Sequence, residues 1–142
     1  MKKVLVIDDN PTIVELIKYA VNLQREFQVI VAYDGEEGLK SVYAENPVCV
    51  IIDVKMPRMD GYKLVRCLRG DTRTANIPLI ILSAMTREED QMTGLLSGVD
   101  EYLTKPFKPG ALNAAIERVL LLTPADRQRR MDYLLQTHAE RE

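Results

Sequence analysis

Five short runs of apolar, largely β-branched residues punctuate this chain, at residues 4–7, 29–32, 48–52, 79–82 and 102–104. Segments with apolar residues at helical spacing lie between and after them, at residues 11–23, 36–45, 62–69, 87–97 and 109–122. This alternation constrains the fold more than any other feature. Strands that alternate with helices bury their side chains by forming a parallel sheet with helices on both faces. The first, third and fourth runs carry no polar alternation, as expected of strands covered on both sides.

Local signals mark the helix starts. Asn10-Pro11 places a capping side chain before a proline at the first helical position. Asp34-Gly35 and Asp60-Gly61 open the second and third helices, Gly70 closes the third, and Asn76-Ile77-Pro78 leads into the fourth strand. Thr123-Pro124-Ala125-Asp126 is a further stop and restart, with Thr123 as cap and Asp126 facing the helix dipole. Beyond it Met131, Leu134, Leu135 and His138 repeat at i, i+3, i+4 and i+7, which predicts a sixth, amphipathic helix. The expected organisation is one α/β domain over residues 1–122 and a helical tail over 123–142. No internal repeat or low-complexity segment interrupts it.

Composition excludes several classes. A chain of 142 residues with 46% apolar and 28% charged side chains is globular and long enough for one sizeable core. Its net charge of −2 announces neither a nucleic-acid nor an anionic-membrane partner. The apolar runs are too short to span a bilayer, and Met1-Lys2-Lys3 leads straight into a strand rather than a signal peptide, so a cytoplasmic protein is expected. Cys49 and Cys67 are two lone cysteines, too few for a zinc set or a disulfide framework, and are expected as buried small hydrophobes.

In a parallel α/β sheet, sites form where strands end at their carboxyl edge. Asp8 and Asp9 follow the first strand, Asp53 the third, Ser83 the fourth and Lys105 the fifth, so residues far apart in sequence can share one cleft. Carboxylates gathered there repel: two charges roughly 4 Å apart cost about 4 kcal/mol at an effective dielectric near 20. A hard divalent cation offsets this, and Mg²⁺ suits few carboxylates plus waters, with Mn²⁺ a substitute. Acid cluster, metal, lysine and hydroxyl together describe a phosphoryl site in which one carboxylate can be the nucleophile.

Asp8-Asp9, Asp53 within Ile51-Ile52-Asp53-Val54-Lys55-Met56-Pro57, Asp60-Gly61, Ser83-Ala84 and Lys105-Pro106-Phe107 together resemble the receiver domain of bacterial two-component response regulators. The resemblance spans residues 1 to about 122, with all elements in the family's order and spacing. It implies a flavodoxin-like fold of five parallel strands in the order 2-1-3-4-5. It implies Asp53 as phosphoryl acceptor, and Mg²⁺ held by Asp8, Asp9, Asp53 and the main-chain carbonyl of Lys55. It further implies Ser83 and Lys105 as groups that contact the phosphoryl group, and Tyr102 as the aromatic switch whose rotamer follows Ser83. The Lys105–Pro106 peptide matches one that is cis in the family.

On this resemblance the phosphodonor is a histidine kinase or a His-phosphotransfer protein. The output is a partner protein that binds the face of the fourth helix, fifth strand and fifth helix. Gly94 and Gly98 weaken the helix that must move. The activity is self-catalysed phosphotransfer and dephosphorylation rather than turnover of a substrate. An alternative is the receiver portion of a DNA-binding transcription regulator. About 20 residues follow residue 122, too few for a DNA-binding module, and their charges balance, so direct nucleic-acid binding is not expected. Winged-helix relatives dimerise through cross-subunit ion pairs on that same face. Asp100 and Glu101 keep the acidic half of that pattern, but Gln91, Ala111, Ala115 and Leu122 fall where the matching charges belong. A hydrolase of related fold would carry a second acid two residues after the nucleophile, where this chain has Lys55. His138 is expected to be exposed and to take no part in phosphotransfer.

Overall fold

A computed structural model describes residues 1–141, without the side chains of His138 and Arg141. Five parallel strands form one sheet in the order β2-β1-β3-β4-β5. They are β1 (Lys2–Ile7), β2 (Phe27–Ala32), β3 (Cys49–Ile52), β4 (Leu79–Ser83) and β5 (Glu101–Thr104). The helices are α1 (Pro11–Asn22), α2 (Gly35–Glu45), α3 (Gly61–Gly70), α4 (Glu88–Ser97), α5 (Pro109–Leu120) and α6 (Pro124–Arg141). The 2-1-3-4-5 order expected from the resemblance is the observed one.

Strand periodicity divides the interior in two. Val4, Val6, Cys49, Ile51, Ile80 and Leu82 point to one face and pack against Val14 and Ile17 of α1 and Leu112 and Ile116 of α5. Their neighbours Leu5, Ile7, Val50, Ile52, Leu79 and Ile81 point to the other, against Val42 of α2 and Leu64, Val65 and Leu68 of α3. Each such side chain contributes roughly 1.5–3 kcal/mol by leaving water. Both faces are therefore apolar over residues 4–7 of β1, 49–52 of β3 and 79–82 of β4. Edge strands β2 and β5 are only partly covered and keep polar positions.

The caps form as the sequence predicts. Asn10 accepts from the Thr12 and Ile13 amides, Asp34 from Glu37 and Asp60 from Lys63. Thr123 and Asp126 bond each other's amides reciprocally, at 3.1 and 2.9 Å, and start α6.

Two expectations need correction. Cys49 is buried, but Cys67 is exposed. Leu64, Val65 and Leu68 take the inner face of α3, and helical spacing turns Cys67 away from it. The apolar stripe of α6 is only half covered: Met131 and Leu134 face the domain, whereas Leu135 is exposed. Asp100 is buried and spent inside the chain. It accepts from the Leu79 amide at 2.8 Å, from Arg69 of α3 at 3.0 Å and from Arg127 of α6 at 2.7 Å. Arg130 donates to its carbonyl. Glu101 is likewise engaged, by Arg118 of α5 at 2.7 Å. The two acids that matched a cross-subunit pattern thus hold elements of one chain together, and Asp100 anchors α6 beside α4. The expectation for His138 concerns a side chain outside the described residues.

Candidate functional site

Parallel pairing places the polar residues. Each central strand continues its ladder one residue past its end: the Asp8 amide donates to the Ala32 carbonyl at 3.1 Å, and the Asp53 amide to Ile7 at 2.9 Å. The Lys105 amide donates to the Ser83 carbonyl at 2.7 Å. These bonds hold Asp8, Asp53, Ser83 and Lys105 at the carboxyl edge, where the helices no longer cover the sheet.

Oxygen atoms of Asp8, Asp9 and Asp53 lie within 4.8 Å of one another. Asp8 and Asp53 are buried and Asp9 is exposed. The Lys105 ammonium donates to Asp8 Oδ2 at 3.1 Å and to Asp53 Oδ1 at 3.4 Å, bridging the two buried acids. Asp8 is further oriented by the Asn10 amide, at 2.9 Å from Oδ1. Burial, and then the Asp8 charge, push the Asp53 carboxyl above the ordinary 3.8, with Lys105 opposing both. One cation facing three acids leaves the cluster short of positive charge. Three carboxylate oxygens at this spacing are the donor set that a hard divalent ion takes, so the residues fit Mg²⁺.

The other expected residues fall nearby. Ser83 is buried at the end of β4, and its hydroxyl accepts from the Met85 amide at 3.1 Å. Lys55 is exposed in the loop after β3. The Lys105–Pro106 peptide is cis. Tyr102 is half-buried on β5 and already turned inward, its hydroxyl donating to the Met85 carbonyl at 3.0 Å.

Sequence reasoning missed one structural part of this site. A Cβ on Gly61 would collide with the Asp53 carbonyl oxygen and lie 2.9 Å from Val54 Cα. The Gly61 amide donates to the Val54 carbonyl at 2.9 Å, so the start of α3 presses against the backbone of Asp53 and Val54. The Asp60-Gly61 pair signals a helix start but carries no hint of this close approach.

The response regulator receiver domain family matches residues 4–117 of the chain. The chain belongs to that family. Among its relatives is the alkaline phosphatase synthesis transcriptional regulatory protein PhoP of Bacillus subtilis, 41% identical over 120 residues. That match takes in 84% of this chain and 48% of the relative. The chain spans about half the length of the transcriptional regulators that it matches. Among solved structures, a response regulator from Chloroflexus aurantiacus superposes with a TM-score of 0.80 at 30% identity. It covers 85% of this chain and 98% of that one. The receiver domain of a sensor histidine kinase from Pseudomonas aeruginosa, solved with a magnesium ion coordinated in its active-site cleft, has a TM-score of 0.76 at 26% identity. That alignment covers 84% of this receiver and 97% of the other chain. No helix among the described residues is long and apolar enough to cross a membrane.

Proposed function

We propose that this receiver takes a phosphoryl group onto Asp53 from a histidine kinase or His-phosphotransfer protein, and in response alters its α4–β5–α5 face to bind an output partner. The observation that carries this reading is the bridged acid cluster, in which Lys105 spans Asp8 and Asp53 beside Asp9.

An Asp53 carboxylate oxygen forms the new bond to phosphorus while the donor's bond to phosphorus breaks and its electron pair leaves with the donor. Lys105 lies 3.4 Å from Asp53 Oδ1 and is placed to stabilise charge on the transferred group. Ser83 uses its hydroxyl as acceptor toward Met85, so its own proton is free for a phosphoryl oxygen. Asp8, Asp9, Asp53 and the Lys55 carbonyl would hold Mg²⁺, or Mn²⁺ in its place, which supplies charge neutralisation for the incoming dianion. The magnesium in the related Pseudomonas aeruginosa receiver supports that assignment.

Acetyl phosphate with Mg²⁺ should add one phosphoryl group, read by intact-mass spectrometry. Asp53→Asn, or excess EDTA, should abolish it. Equal labelling of the Asn variant would overturn the acceptor assignment. Chemical-shift mapping with beryllofluoride tests the output face: perturbations confined to the Asp53 loop, with Met92, Tyr102 and Ala111 unmoved, would sink it.

The relatives favour a second reading, in which this receiver is part of a DNA-binding transcription regulator: PhoP is a transcriptional regulatory protein, and RpaA of Synechocystis, 36% identical over 124 residues, is a DNA-binding transcriptional regulator. Phosphorylation-dependent association with such an output module, added in trans, separates the two readings.

A further inference from the structure

Tyr102 couples to the site through the backbone of a single residue. Its hydroxyl donates to the carbonyl of Met85, whose amide donates to Ser83 Oγ. What holds the ring inward is the surface of α4. A Cβ built on Gly94 would lie 2.5 Å from Tyr102 Cδ2 and 2.8 Å from Cε2. It would also lie 3.4 Å from Cε1 of Tyr62. Carbon atoms in favourable contact sit about 3.5–4.0 Å apart, so a side chain at 94 and the ring cannot share this space. Tyr62 closes the other side of the seat, and its hydroxyl donates to the Asp90 carbonyl at 3.2 Å. Burial, and then the neighbouring Tyr102, raise the Tyr62 phenol, which keeps it a donor.

Helix stability does not explain this glycine. Glycine within a helix is worse than alanine because it surrenders more backbone freedom. Gly94 is buried within α4 and has no positive φ to require it. The ring beside it is the remaining reason.

We propose that Gly94 is a positioning residue for the switch: its bare backbone is the seat that admits Tyr102, and the size of residue 94 sets the ratio of inward to outward tyrosine. This rests on the output-face reading given above. Inward, the tyrosine ties β5 to the Met85 peptide and, through it, to Ser83. Outward, it gives up that carbonyl and moves onto the α4–β5 surface. A ligand at Asp53 biases this equilibrium only through contacts that differ between the two states. A change at 94 that penalises the inward ring therefore opposes any ligand that favours it, by the same factor.

The test is NMR on the full chain with ring-labelled tyrosine. The wild type should show Tyr62–Tyr102 ring contacts. In Gly94→Ala these should weaken as the inward-to-outward ratio falls by roughly tenfold or more, the scale of an overpacked contact. The beryllofluoride concentration for half-response at Met92 and Ala111 should rise by a similar factor. In a Tyr102→Ala background Gly94→Ala should instead raise thermal stability, because only its helix propensity is left to act. Gly94→Ala that keeps wild-type Tyr62–Tyr102 contacts would overturn the proposal. So would a substitution that destabilises the Tyr102→Ala protein as much as the wild type, or that unfolds both. Unfolding of Gly94→Ala alone, rescued by Tyr102→Ala, supports it. A wild type whose α4–β5–α5 face ignores beryllofluoride sinks the output reading instead, because the ring contacts are measured without that ligand.

Discussion

Asp53→Asn should make the metal-free protein more stable at neutral pH while removing the proposed phosphoryl acceptor. In the folded chain Asp53 faces Asp8 across no more than 4.8 Å, a repulsion of at least about 3.5 kcal/mol at an effective dielectric near 20. Asp9 is exposed and adds roughly 1 kcal/mol after screening. Lys105, 3.4 Å from Asp53 Oδ1, returns about 5 kcal/mol on the same scale. The charges nearly cancel, which leaves lost hydration to decide the sign, and the Asp53 side chain is only 10% exposed. A net penalty of about 1–2 kcal/mol follows, and the raised Asp53 pKa has the matching sign. Because the folded value lies above the ordinary 3.8, the folded protein holds this proton more tightly than the unfolded chain. Stability is lost as pH rises from 3.8 through the folded value, so the penalty lies on the alkaline side of that value. Thermal unfolding in EDTA at pH 7 should therefore place the Asn variant about 3–6 °C above the wild type. The gap should close near pH 3. Mg²⁺ at a hundred times its dissociation constant should add about 2.7 kcal/mol to the wild type and less to the variant, which lacks one ligand. An Asn variant that melts at or below the wild type in EDTA at pH 7 would refute this balance of charges.

Other substitutions probe separate links. Asp100→Ala leaves two largely buried guanidiniums without their carboxylate and the Leu79 amide without its acceptor, and should cost about 3–5 kcal/mol. Arg127→Ala leaves Asp100 its Arg69 partner and should cost about 1–2 kcal/mol in urea unfolding; equal losses would show that Arg69 does not compensate. Gly61→Ala should cost about 1–3 kcal/mol and slow labelling by acetyl phosphate, since the new methyl displaces the backbone of Asp53 and Val54. Gly70→Ala meets nothing within 4 Å and should leave labelling unchanged; equal slowing in both variants would remove the steric explanation. Exposed Lys55 and half-buried Met85 can overhang an acyl phosphate, so ³¹P NMR should show it persisting for minutes or longer; loss within seconds at pH 7 would refute such shielding.

The sequence by itself determined the class of fold and where its chemistry gathers. Strand and helix periodicities are local properties, and in a parallel sheet the residue after each apolar run must emerge at the carboxyl edge. Asp8, Asp53, Ser83 and Lys105 were therefore legible as neighbours despite separations of up to 97 positions in sequence. The caps at Asn10, Asp34, Asp60 and Thr123 were legible for the same reason, since each bonds amides within three residues. Tertiary structure alone decided how the helices turn and how closely they approach. Arg69 and Arg127 meet Asp100 from 31 and 27 residues away, on helices whose pairing no short-range pattern encodes. The same packing turned Cys67 and Leu135 to solvent, buried Asp100 between two arginines of its own chain, and pressed Gly61 and Gly94 against groups they cannot clear with a side chain. Such contacts depend on distances of a few tenths of an ångström between elements, and only the assembled core sets those distances.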